Sequence, residues 1–296
     1  MKLYFHKDPN GNFGDDINTL LWPKIFPKIL SGECVHDPLS RAPSDELPSL
    51  MIGIGTLLNQ HIPSGVPKAI MGTGTGYGNK PERDDSWHVY FTRGPLTAKG
   101  LGLDTSMAIT DGAILCAKYL PIQRAENHTS NIGFMPHCST AKGKYWQTIC
   151  EGLNMKYIDP RNSVEQVFSE LACIDRLYTE AMHGAILADS FRIPWVAVKT
   201  HEHILDFKWQ DWCQSLDLEF APIILPSLWE FPIAAGPIKR SKQLAKCYMA
   251  KSSLKKAIKK TKFTLSTDKR HNTSIEQIEE KLMLFENDHK KGLFNS

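Results

Sequence analysis

The sequence predicts an α/β protein of two doubly wound halves with a cleft between them, followed by C-terminal helices. Three observations carry that prediction. Short β-rich apolar runs recur, each followed by a polar or glycine turn and then a helical stretch. That order gives a parallel sheet covered by helices. The pattern breaks at 121–130 (PIQRAENHTS), a polar stretch without periodicity, and then restarts. The 296 residues also suit about two domains. With 42% apolar and 23% charged residues the composition is ordinary for globular proteins, which excludes disorder, collagen-like repeats or a coiled coil as the dominant architecture.

The elements follow in order. Lys2–His6 reads as the first strand, ahead of a glycine-containing loop, and 15–30 as a helix with an Asp at its start. Strands are expected at 49–54 (SLMIGI), 69–71, 88–91 and 107–110, with helical pieces such as 94–99 between them. After the break, strands at 131–135, 155–158, 173–178 and 194–198 alternate with helices at 142–153, 163–171 and 181–191. A last strand is expected at 220–225, and two helices after 237, one basic and one at 275–286. No internal sequence repeat is visible. The expected division is 1–125, 126–236 and a helical tail, 237–296. Open sheets of this kind bind ligands beyond the carboxyl ends of their strands, so the loops there are where a site is sought.

No run approaches the roughly 18 apolar residues of a membrane span, and the start, MKLYFHKDPNGNFGDD, does not read as a signal peptide. Seven cysteines, an odd number with no CxxC pair, argue for a reducing compartment and against a disulfide framework or a zinc site. A cytoplasmic protein is expected. The net charge of +3 hides an asymmetry: from Pro237 onward there are 15 Lys+Arg against 6 Asp+Glu, a balance of +9. The segment 237–262 holds ten basic residues and no acidic one, with Leu244, Tyr248, Leu254 and Ile258 at loosely helical spacing. It reads either as a basic helix on an anionic membrane surface or as a solvated tail. Without stacking aromatics or a helix-turn-helix signal beside the lysines, a nucleic-acid partner is not expected.

Three glycine turns stand at strand ends: Asn12-Phe13-Gly14-Asp15-Asp16, Gly53-Ile54-Gly55-Thr56 and 72–78 (GTGTGYG), which includes Gly74. Such turns bring backbone N–H groups to an anion or a sugar, or are simply tight turns. None fits the dinucleotide fingerprint, and there is no Walker A lysine. Asp15 and Asp16 suit sugar hydroxyls better than a phosphate, unless one caps the helix. His183, in Glu180-Ala181-Met182-His183-Gly184, follows a strand and opens a helix at the rim of its sheet, where an imidazole suits proton transfer at neutral pH. His137 ends the first strand of the second half at the same rim. Arg93 ends a strand and can present its fork to a carboxylate or phosphate, or form a salt bridge. Arg176 lies within a strand near Asp175 and Glu180, and Lys208 either binds an anion or snorkels from a helix. Asp111-Gly112 reads as a turn. There is no metal motif and no G-x-S-x-G elbow.

The ordered set NFGDDIN, FTRGPLTAKGLGL, TDGAILCAKYL and EAMHGAILADSFRIPWVAV, with glycine-rich strand ends between, resembles the polysaccharide pyruvyl transferase family, in its bacterial exopolysaccharide branch, over about Asn12 to Trp212. The resemblance implies two Rossmann-like halves in a GT-B-like arrangement. It implies transfer of the enolpyruvyl unit of phosphoenolpyruvate onto two hydroxyls of one sugar, giving a cyclic ketal and free phosphate. The acceptor implied is a lipid-linked repeat unit or another glycan, and no cofactor beyond the co-substrate is expected. Residue by residue, the resemblance makes His183 the general acid/base and Arg93 a donor ligand. Lys208, Arg176 and His137 are expected as further donor contacts from their own positions. The loop holding Asn12, Asp15 and Asp16, with Gly74, then faces the acceptor. Two positions depart from the family pattern. Ala181 stands where many members have arginine and His203 where a lysine falls, leaving Lys208 or Lys199 as the substitute. A nucleotide-sugar glycosyltransferase and a non-catalytic membrane scaffold are the rival readings.

Overall fold

The computed structural model describes residues 1–30, 34–37, 48–124, 132–228 and 237–294. The sequence break from 125 onward lies outside them. The described strands form two parallel sheets. The first holds β1 (Lys2–His6), β2 (Cys34–Asp37), β3 (Leu50–Ile52), β4 (Lys68–Met71) and β5 (Trp87–Phe91), in the order β2-β1-β3-β4-β5. The second holds β6 (Ile132–Met135), β7 (Lys156–Tyr157), β8 (Arg176–Thr179), β9 (Trp195–Lys199) and β10 (Ile223–Ile224), in the order β7-β6-β8-β9-β10. Counted within each sheet, both orders read 2-1-3-4-5. The halves therefore repeat in topology although they do not repeat in sequence. This winding reverses between the first and third strands, β1/β3 and β6/β8, and leaves a crevice at each carboxyl edge.

Both faces of each sheet are buried. Tyr4, Leu50, Ile52 and Ile70 pack on one side of the first, and Leu3, Phe5, Met51 and Met71 on the other. That is why these runs are continuously apolar. In the second sheet Phe134, Tyr178 and Val196 face one cluster and Met135, Leu177 and Trp195 the other. The largest cluster draws on both sheets, so the halves share a core.

The helices are α1 (Phe13–Ile25), α2 (Pro95–Gly100), α3 (Cys116–Tyr119), α4 (Tyr145–Glu151), α5 (Val164–Ala172), α6 (Met182–Ser190), α7 (Asp206–Ser215), α8 (Pro237–Lys260) and α9 (Asp268–Lys290). The cap of α1 is Asn12, not an Asp: its backbone is extended and its side chain accepts from Gly14 N, worth about 1 kcal/mol. The helix ends at Ile25 rather than at 30, because Pro27 drives Phe26 out of helical geometry.

Three expectations need correction. Positions 107–110 are not a strand; a 3-10 turn over Thr105–Met107 leads into extended chain that meets the sheet at the single bridge Thr92–Ala108. Strand β2 is not apparent in the sequence reading. Nor are the last helices a loose tail. Helix α8 lies on the second sheet's core through Ala250 and Leu254, and α9 packs against the first half through Ile278, Leu282 and Phe285, with Tyr90 Oη donating to Asp288 at 2.9 Å. The four apolar residues of α8 do not share a face: Leu254 and Ile258 pack inward, whereas Leu244 and Tyr248 are exposed. Among the described residues no helix is long and apolar enough to cross a membrane.

Candidate functional site

Each crevice is fixed by one buried polar side chain. At β1/β3, Asn18 Oδ1 accepts from Ile54 N (2.7 Å) and Trp22 Nε1 (2.9 Å), while its Nδ2 donates to Asp15 O and Ile54 O. Every hydrogen-bonding capacity of the amide is used, which pins the loop after β3 to α1. Gly53 is needed there, since a Cβ would collide with Asn18 Oδ1. At β6/β8, Glu180 accepts from His137 N (3.1 Å), Thr200 N (2.7 Å) and Thr200 Oγ1 (2.6 Å). It joins the ends of β6, β8 and β9.

A cavity of about 500 Å³ opens where the two crevices meet. His6, Asn12 and Asp15 line it from the end of β1 and the start of α1, and Thr56 and Tyr77 from the glycine turns. His137, Glu180 and His183 line it from the ends of β6 and β8, and Lys208 from α7. Of the expected site residues, His183, Lys208, His137, Asn12 and Asp15 therefore meet in one place. Asn12 caps α1 through Oδ1 and donates from Nδ2 to Asp15 Oδ2, so one residue sets both the helix start and the carboxyl.

Burial dominates the electrostatics. It raises the Asp15 carboxyl to about 7. It lowers the Lys208 ammonium to about 7, with Arg93 adding repulsion. His137 falls to about 4 through burial and then Lys208, and His183 to about 3 through burial, Lys208 and Arg93. Both imidazoles are neutral at physiological pH. Lys208 Nζ donates to Tyr77 Oη at 2.6 Å and stands 4.2 Å from that ring's centre. His183 fits only because residue 14 is glycine: a Cβ there would collide with Nδ1. Nε2 of the same ring is buried, lacks a hydrogen bond and stands 3.9 Å from Asp111 Oδ2. The N-terminus of α6 has no side-chain cap. Among the described residues no three His, Cys, Asp or Glu side chains are grouped as metal ligands.

The other expected residues lie elsewhere. Arg93 is fully buried behind the cavity wall. Its Nε donates to Asp211 Oδ2 (3.0 Å), Nη1 to Thr56 Oγ1 (3.1 Å) and Nη2 to Thr75 O (2.7 Å), so the fork is already occupied. Gly74 makes room for that guanidinium, which a Cβ would strike, and does not line the cavity. Arg176 begins β8, at the opposite edge of the sheet from the crevice, and stacks on Phe263. Asp16 does not reach the cavity, because its neighbour Asp15 takes the inward position. The sequence reading also missed Tyr77, Asp111 and Asp211. Tyr77 carried a signal in the 72–78 glycine turn and Asp111 in the TDGAILCAKYL motif, whereas Asp211 carried none.

The polysaccharide pyruvyl transferase model matches residues 65–202. That span runs from just before β4 past the end of β9 and carries His137 and His183, which line the cavity, and Asp111, which does not. The chain is also 36% identical over 229 residues to the succinoglycan biosynthesis protein ExoV of Rhizobium meliloti (strain 1021), covering 76% of this chain and 68% of that protein. The chain belongs to the polysaccharide pyruvyl transferase family. Its two departures from the family pattern now have positions. Ala181 lines the cavity and brings no charge to it. His203 sits at the rim, where Ser139 Oγ is 2.8 Å from both His203 Nε2 and His137 Nδ1. Of the two candidate lysines, Lys199 is paired with Asp206 (2.6 Å) and only Lys208 lines the cavity.

Proposed function

We propose that this chain transfers the enolpyruvyl unit of phosphoenolpyruvate onto two hydroxyls of a sugar in an exopolysaccharide or cell-surface glycan repeat, forming a ketal and releasing phosphate. The family places the chain among pyruvyl transferases. The observation that carries the finer reading is the cavity, where Lys208 and the uncapped start of α6 face Asn12 and Asp15. A helix N-terminus and an ammonium suit phosphate and carboxylate. An Asp–Asn pair suits hydroxyls. In this reading the halves 1–125 and 126–236 act as the acceptor and donor domains of a GT-B-like enzyme, with Lys208, His137 and the backbone of α6 as donor contacts.

The reaction needs one proton delivered to C3 of the enol, which makes an oxocarbenium-like centre at C2 for the hydroxyls to attack. Two hydroxyl protons are released as the C2–O bonds form and the C2–phosphate bond breaks. One leaves with phosphate and the other restores the acid. His183 is the group we assign to this transfer. No cofactor enters the scheme.

The acceptor in this reading is lipid-linked, which puts the enzyme in the cytoplasm at the inner membrane face. Helix α8 supports that placement: it combines the exposed apolar side chains Ile238, Leu244, Tyr248 and Met249 with a lysine-rich, acid-free sequence. Calorimetric titration with phosphoenolpyruvate, beside a panel of nucleotide sugars, tests the function. Saturable phosphoenolpyruvate binding that Lys208→Met abolishes is the expected result. Binding of a nucleotide sugar instead would replace this reading with glycosyl transfer.

A further inference from the structure

Asp111 is fully buried at the start of the 3-10 turn Gly112–Leu115. Its Oδ1 accepts from Ala113 N at 3.0 Å, which caps that turn. Its Oδ2 has no hydrogen-bond partner. The His183 Nε2 atom, 3.9 Å away, is buried and without a partner too. Buried polar atoms left without partners destabilise a fold. These two stand about 1 Å beyond hydrogen-bond distance, and a single proton between them satisfies both. His183 itself lines the cavity, and Asp111 stands behind it. With Nε2 sealed against Asp111, Nδ1, beside Gly14, is the nitrogen left for the cavity.

We propose that Asp111 is the positioning and proton-holding partner of His183, the two forming a carboxyl–imidazole pair through Oδ2 and Nε2 that presents Nδ1–H to the cavity. The pair solves a problem set by its neighbours. Lys208 from α7 and Arg93 after β5 face His183, and Arg93, Asp211 and the Cys116 thiol surround Asp111. Among those cations an imidazolium is strongly disfavoured, so His183 alone is a poor store for the proton that C3 requires. Burial raises the Asp111 carboxyl to about 7, above its ordinary range, so at neutral pH it holds a proton much of the time.

A protonated Asp111 donates Oδ2–H to Nε2, which places the imidazole proton on Nδ1. As Nδ1–H passes to C3, the Oδ2 proton moves to Nε2. The imidazole stays neutral throughout, and the pair ends as carboxylate and Nε2–H tautomer. A hydroxyl proton taken up at Nδ1 reverses the shift and restores the pair. The transfer to C3 rests on the pyruvyl-transfer reading; the pair itself does not.

The test is nitrogen NMR of ¹⁵N-histidine-labelled protein without substrate, with His183→Gln to assign the signal. In the wild type, His183 is expected to remain neutral and to exchange its Nδ1–H tautomer for Nε2–H as pH rises through about 7. In Asp111→Asn, whose amide donates to Nε2 at every pH, Nδ1–H should persist. An ordinary imidazolium titration near pH 6.5, or one tautomer at all pH values in the wild type, would overturn the proposal. If Asp111→Asn does not fold, the wild-type series decides alone. In turnover, Asp111→Asn should lower kcat by about 10²–10⁴-fold with KM for phosphoenolpyruvate little changed, and a matched fall in folded fraction instead would make Asp111 merely structural. A tautomer switch in a protein that does not bind phosphoenolpyruvate would leave the pair standing and remove the pyruvyl-transfer reading.

Discussion

Asp211→Ala should destabilise this protein severely. Asp211 and Arg93 are both fully buried. Asp211 Oδ2 takes Arg93 Nε (3.0 Å) and Thr97 Oγ1 (2.6 Å), and its Oδ1 takes Thr97 N (2.9 Å). Arg93 and Thr97 belong to the first half and Asp211 to α7, so the carboxylate pins one half to the other. Alanine leaves a sealed guanidinium without a counter-charge and strands two Thr97 donors. Breaking one side of a buried pair costs about 3–5 kcal/mol, against a total stability of roughly 5–15 kcal/mol. At an m value of roughly 3 kcal/mol/M, even the lower figure moves the urea midpoint down by about 1 M. Trp209 and Trp212 lie on the same helix, so tryptophan fluorescence follows the transition. Asp211→Asn keeps oxygen and nitrogen in place and should lose less. An unchanged midpoint for Asp211→Ala would refute the assignment of Arg93 as an interior tie. Arg93→Ala should fall by the same mechanism, with loss of phosphoenolpyruvate binding tracking the loss of folded protein.

Gly14→Ala, a favourable exchange for helix propensity, drives a methyl into His183 Nδ1; kcat should drop about 10²-fold, and full activity would show that the ring needs no such position. Asp111→Asn should change the pH dependence of stability. The fold disfavours the ionised carboxyl, so the wild type loses about 1.4 kcal/mol per pH unit from about pH 4 up to about pH 7 and nothing further above it. Melting temperatures should therefore shift in favour of the Asn variant across that window, and parallel curves would contradict the shift. Replacing Lys242, Lys246, Lys255 and Lys256 of α8 by Gln should remove roughly 1 kcal/mol of attraction per lysine to an anionic surface, and retained binding to phosphatidylserine vesicles at low salt would end the membrane placement.

Much of the architecture was legible because its causes are local. β1 was legible residue for residue, and the alternation of strand and helix survived with shifts of a few residues. β2 escaped because Cys-Val-His-Asp has too little apolar length to stand out. The 107–110 segment misled because an apolar run beside a sheet can meet it through one bridge instead of a ladder. Site legibility divided along the same line. His183 and Asn12 were found because strand end followed by helix start is a sequence-visible place. Arg93 holds an equally visible place, yet its charge is paired with Asp211, 118 residues away in sequence. Nothing local announces that partner. Asp111 is the converse: its capping role is local and was read as a turn, whereas its free oxygen matters only because the second half brings His183 to it.

Lys208 carries the donor-binding argument furthest, because the cavity's other lining lysine, Lys142, is exposed to solvent. His137 and His183 are neutral, Arg93 is spent, and Ala181 supplies no cation. Lys208 itself stands in the first turn of α7, where the helix dipole opposes a positive charge, and burial lowers its ammonium to about 7. At pH 7 it is therefore about half protonated. A bound phosphate or carboxylate restores the ammonium, so binding must draw in a proton. Calorimetry at pH 7 in buffers of different ionisation enthalpy should show uptake of about half a proton per phosphoenolpyruvate. The sign follows from the depressed pKa: the charge is full well below pH 7 and fades as pH rises through it. Affinity should thus weaken by up to tenfold per pH unit above 7. Lys208→Met should flatten the profile and abolish the uptake. Tight, buffer-independent binding at pH 8.5 would mean that another group holds the anion, and the donor site would have to be sought elsewhere in the cavity.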